Sequence, residues 1–171
     1  MRRPVLALAL AGALLLATGS AALATTTKIP DGGQEHVTSG AGSVTPTFNG
    51  SVMSVRNEHH VASLTAVDGV TVTGSETSVA NYDLDLVTLT GRLWGTSQIV
   101  PLPLTDAAVG GMNCVFDGTF VPGSYGTAWT AHSVCHGYGV LSGWQSRSDV
   151  TSQSYGSSFV GYKFVPANKV P

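Results

Sequence analysis

From Phe48 onward the chain is broken about every 8–12 residues by glycine, proline or small polar clusters, the spacing of short strands joined by turns. No stretch between these breaks carries a helical apolar period over three turns. The β-rich segments are 51–55, 61–66, 70–73, 82–93, 113–121, 127–144 and 155–165. Only Thr105–Val109 reads as a helical turn, and Gly110-Gly111 stops it. The pattern predicts an all-β fold, a single antiparallel domain of roughly eight to ten strands, built as a barrel or a sandwich. Gly137, Gly139 and Gly143 fall on one face of an extended strand, which favours the barrel, where a corner or another backbone comes close.

Several connections are legible. Asp68-Gly69 between β-formers is a strong hairpin signal. Arg56–His60 reads as a polar turn, with His59 and His60 exposed in it, and Gly74–Asn81 reads as a polar connection. Tyr82–Leu93 reads as the longest strand, with a bulge or bend at Gly91. Pro101 and Pro103 cannot donate ladder hydrogen bonds, so Ser97–Leu104 is an edge strand or a strand end. Pro122–Gly126 joins two β-rich runs as a hairpin loop.

The first residues address the chain. Met1-Arg2-Arg3 is basic, Val5–Ala17 is almost wholly apolar, and Ala22-Leu23-Ala24 has the small residues of a cleavage site. The apolar run is too short for a bilayer core of roughly 30 Å. Residues 1–24 are therefore expected to be a signal peptide cleaved near Ala24, and the mature protein to be secreted and extracellular. Residues 25–46, rich in Thr, Ser and Gly, read as a flexible N-terminal segment, 47–166 as the β-domain, and 167–171 as a short tail. Asn49-Gly-Ser51 matches the glycosylation acceptor pattern, relevant only in a eukaryotic secretory host.

Without Arg2 and Arg3, six of the eight basic residues face ten acidic ones with no run of like charge. That excludes an electrostatic footprint for nucleic acid, and no second apolar stretch is long enough for a membrane span. In an oxidising compartment Cys114 and Cys135 are expected to form a disulfide, since antiparallel pairing around the 122–126 loop brings them within reach. The competing reading, a metal bound by His132, Cys135, His136 and Cys114, lacks the two separated ligand pairs of structural zinc sites. Neither a metal nor a cofactor is expected.

Catalytic patterns are sparse. No G-x-S-x-G motif occurs, which removes the common nucleophile elbow. A glycosidase needs two facing carboxylates, and the three glutamates, Glu35, Glu58 and Glu76, lie in segments read as turns or the N-terminal tail. Asp83 and Asp85 share one strand face, either solvated or the start of a calcium or substrate-hydroxyl site. His132 and His136 share a face beside the cysteines, where a pair of imidazoles can be a base, a ligand contact or a pH-sensitive element. Trp94 and Tyr138 are candidates for stacking a sugar or a small apolar ligand, whereas Trp129 and Trp144 read as core.

The run Phe116-Asp-Gly118-Thr-Phe120, followed by His136-Gly-Tyr-Gly-Val-Leu-Ser-Gly143, resembles the glycine-punctuated strands of small secreted barrels of the dirigent and allene oxide cyclase type. The resemblance implies a fold and carries no functional residue with it. The expected function is a non-catalytic binding or structural module for carbohydrate, a small apolar ligand or another extracellular protein. The alternative is a small secreted enzyme with a pocket inside a β-barrel, lined by His132, His136, Asp117 and Tyr138.

Overall fold

The computed structural model describes residues 26–41, 44–123, 126–153 and 156–169. The leader at 1–24 lies outside the described residues, as do Tyr125 and Tyr155. The strands are β1 (Thr26–Ala41), β2 (Thr47–Asn49), β3 (Val52–Thr65), β4 (Val72–Asp85), β5 (Thr90–Pro101), β6 (Gly110–Gly123), β7 (Gly126–Gly139), β8 (Gln145–Gln153) and β9 (Gly156–Pro166). All nine belong to one antiparallel sheet in the order β1-β9-β8-β7-β6-β5-β4-β3-β2. β1 bonds to β9 along Thr26–His36 and to β3 along Gln34–Ala41, so the sheet closes in a ring. β2 takes up the edge of β3 that β1 leaves, pairing Thr47–Asn49 with Val52–Ser54. The all-β expectation holds.

Side chains alternate between the two faces of each strand. The inward set includes Ala62 and Leu64 on β3, Ala80 and Leu84 on β4, Leu93 on β5, Met112 and Cys114 on β6, Ala131 and Cys135 on β7, and Val165 on β9, all buried. β6 and β7 pair without a register shift from Gly110↔Gly139 to Gly123↔Gly126. That register sets Cys114 opposite Cys135, with a Cα–Cα separation of 4.0 Å, and the two form the expected disulfide. With Met112 they make the densest part of the core, against which Ile99, Leu141 and Trp144 pack.

Trp144 reaches that core from a turn, because the strand expected over 127–144 ends at Gly139. Gly139 (φ 59°) and Gly143 (φ 89°) adopt left-handed conformations in the 139–144 connection. Gly137 and Gly139 keep the role inferred for the glycine row, since a Cβ would lie 2.1 Å from the Leu141 carbonyl oxygen at the first and 2.3 Å from that of Val109 at the second. Asp68-Gly69 does turn the chain between β3 and β4, with Gly69 at φ 70° and the Asp68 carboxylate accepting from the Val70 and Thr71 amides. Pro101 ends β5, as its missing donor requires.

Other expectations are corrected. Residues 26–41, read as part of a flexible segment, form β1, the strand that closes the ring. The supposed polar turn at Arg56–His60 lies within β3, and the supposed connection at Gly74–Asn81 lies within β4. The long run Tyr82–Leu93 is split by a turn over 86–89, capped by Asp85 accepting from the amides of Val87 and Thr88. In place of the helical turn expected over 105–109 the chain makes a turn at 107–109, and the tail carries a short 3-10 helix, Ala167–Lys169. In β1, the first half of β4, and β8 the inward positions include Glu35, Glu76, Ser78, Ser146 and Ser148, so little apolar alternation marks these segments.

Replacing Cys114 and Cys135 together by serine should lower unfolding stability by about 3 kcal/mol, the chain-entropy value for a loop of this length. Urea unfolding of the oxidised parent and the double variant checks it, and equal midpoints would refute it.

Candidate functional site

The ring surrounds a cavity of about 1150 Å³ to which all eight long strands contribute. Leu141, Trp144, Met112 and Cys135 line it at one end, and Tyr82, Leu93, Phe120 and Trp129 line it towards the other. Polar groups also line it, among them all three glutamates of the chain. The glutamates that the sequence places in turns and a tail thus converge on the interior.

A β-bulge accounts for Glu58. The β3–β4 register shifts between Val55 and Glu58, and Asn57 sits at φ 58° with its amide bonded to the Asn81 side chain. Val55 points inward, so uninterrupted alternation would turn Glu58 and His60 outward; the extra residue re-aims both into the cavity. His60 Nε2 lies 3.3 Å from a Glu58 carboxylate oxygen, while its Nδ1 is buried and has no hydrogen-bond partner. Burial raises the Tyr82 hydroxyl above its ordinary pKa, helped by the Glu58 charge and a hydrogen bond to that carboxylate.

Glu35 and Glu76 form a second acidic pair. The Ser157 hydroxyl donates to Glu35 Oε2 at 2.6 Å. Burial pushes the Glu76 carboxyl up to about 7, with the Glu35 charge adding to the shift and a hydrogen bond from Ser97 opposing it. Lys163 also lines the cavity, and its ammonium is engaged by Asp31 at 2.8 Å.

The residues singled out from sequence lie elsewhere. Asp83 is on the outer face, its carboxyl held below the usual range by hydrogen bonds from Ser54 and Arg56. Asp85 caps the 86–89 turn and is likewise lowered, by the Val87 and Thr88 amides. Trp94 lies outside between the guanidinium groups of Arg56 (4.9 Å) and Arg92 (5.2 Å). His132 is 84% exposed and paired with Asp149. His136 is exposed two repeats of the pleat further along β7. The Tyr138 hydroxyl accepts from the Gln98 amide at 2.9 Å. Asp117 pairs with Arg92 on the outer face. None of these lines the cavity.

His132 and His136 therefore do not converge with the cysteines, whose sulfurs are joined inside. Among the described residues no group of three or more His, Cys, Asp or Glu is arranged to hold a metal ion, and no helix is long and apolar enough to cross a membrane. Comparison with known proteins finds no matching family, curated protein or solved structure. The likeness of residues 116–143 to dirigent-type strands consequently brings no activity to this chain.

The acidic interior makes stability pH-dependent. Glu76 titrates near 4.5 when exposed and near 7 in the fold. Between these values the unfolded chain gives up its proton first, so stability falls as pH rises through the window and stays reduced above it. Glu76→Gln should leave stability nearly unchanged at pH 4 and raise it at pH 8, by up to about 3 kcal/mol. Urea unfolding at both pH values checks this, and an equal effect at the two would refute it.

Proposed function

We propose that this protein is a secreted small-molecule binding protein whose closed sheet acts as a barrel around its ligand. The observation that carries the reading is the cavity of about 1150 Å³, whose wall mixes aromatic and aliphatic side chains with carboxylates, hydroxyls and the His60 imidazole. This is the composition of sites that bury most of a small ligand and orient it with a few hydrogen bonds. A structural module would be expected to fill its interior. Carbohydrate binding on the outer wall has less support, since Trp94 is occupied by two arginines and the Tyr138 hydroxyl is already bonded. Export fits the disulfide, which persists outside the reducing cytoplasm.

Catalysis inside the ring is the second reading, and Glu35 with Glu76 favours it. A carboxyl near 7 beside another carboxylate is the arrangement of a general acid working with a base or nucleophile. This moves any enzymatic role away from His132, His136, Asp117 and Tyr138.

Native mass spectrometry of the secreted protein should detect a small-molecule adduct. Ser148→Trp, which projects an indole into the cavity from β8, should keep the strand-type circular dichroism spectrum and lose the adduct. An adduct retained at full occupancy in that variant would place the ligand elsewhere.

A further inference from the structure

The charges of this protein are sorted by the wall of the ring. Every described arginine (Arg56, Arg92 and Arg147) is exposed on the outside, while Glu35, Glu58 and Glu76 line the inside. The one lysine lining the cavity is engaged by Asp31. Among the described residues no lysine or arginine is left inside for the three glutamates, Glu58 having the His60 imidazole 3.3 Å away, and a carboxylate removed from water without a partner is unfavourable.

Two residues of the cavity wall keep a buried polar atom without a partner, His60 at Nδ1 and Trp144 at its indole Nε1, and the Glu58 carboxylate stands beside the first. Glu58 and Glu35 accept hydrogen bonds when ionised. His60 Nε2 faces the Glu58 carboxylate, and in the neutral ring that donates there Nδ1 is an acceptor, buried without a donor. The aromatic side chains of Phe116, Phe120 and Trp129 line the same space, and aromatic rings attract cations through their faces. An ammonium group has three donors and no acceptor, so it matches the acceptors at Glu58 and His60, while the Trp144 donor lies at the other, Met112–Cys135 cluster.

Resting on the ligand-binding reading above, we propose that the cavity selects an organic cation, a primary amine carried on an apolar body. The amine sits among the carboxylates and His60 Nδ1, with the apolar body against the aromatic and aliphatic walls. The ligand supplies the positive charge that the fold withholds from its own interior.

Three probes of equal chain length separate the contributions: n-octylamine, 1-octanol and octanoate, titrated calorimetrically into the full mature protein at pH 7.5. The amine should bind at least tenfold more tightly than the alcohol, and octanoate more weakly than either. Glu58→Gln should weaken the amine at least tenfold while changing the alcohol less than twofold. Asp83→Asn, which removes the same charge from the outer wall, should leave amine binding unchanged. Glu76→Gln gives an independent interior variant if Glu58→Gln fails to fold.

Equal affinity for amine and alcohol, or preference for octanoate, would overturn the cation while leaving the cavity as a ligand site. An equal loss of amine binding from Asp83→Asn would also overturn it, by reducing the preference to overall charge. If no probe binds but native mass spectrometry finds a neutral adduct, the cation is again refuted and the binding reading survives. If neither probe nor adduct is found, both fail.

Discussion

Closure of the sheet by β1 is the constraint on which the rest of the structure depends. A strand with one free edge leaves a row of unpaired amides and carbonyls, and a closed ring removes the problem. β1 spends its first half on β9 and its second half on β3, overlapping both near Gln34–His36. The strand is chemically unremarkable, with Pro30 and a Gly32-Gly33 pair within it. Its stability comes from bonding on both sides rather than from an apolar face. Gly33 shows the tightness of the fit, since a Cβ there would lie 2.2 Å from the Thr65 carbonyl oxygen.

What the sequence made legible follows from what each strand faces. Segments such as Asn113–Val121, around Cys114, point apolar or sulfur-bearing side chains at the core and carry the expected period. The hairpin at Asp68-Gly69, the strand end at Pro101 and the cysteine pair were readable from local chemistry. The segments misread as tail, turn or connection are the ones that line the polar part of the cavity: Glu35 on β1, Glu58 and His60 on β3, Glu76 and Ser78 on β4. A strand facing a cavity with serine and glutamate has polar residues on both faces, so its period of two disappears. Departures from the folding pattern gather where a binding site displaces the core.

The candidate site was illegible for a related reason. His132, His136, Trp94 and Asp83 were conspicuous as residue types, yet their parity on the strands turns them outward. Glu58 and His60 were hidden by the bulge at Arg56-Asn57, which reverses parity within β3 and has no certain signature in sequence. One inserted residue therefore separates an exposed charged face from an acidic interior.

The closing strand also carries one of the interior charges. β1 is the first strand and its partner β9 the last, and Thr26 pairs with Pro166. Glu35 stands opposite Leu64 of β3 on one side and Ser157 of β9 on the other, at the point where the two halves of the sheet are joined. Closing the ring therefore sets the Glu35 charge against Glu76, and a proton or a bound cation in the interior shifts the balance towards the closed ring over an open sheet.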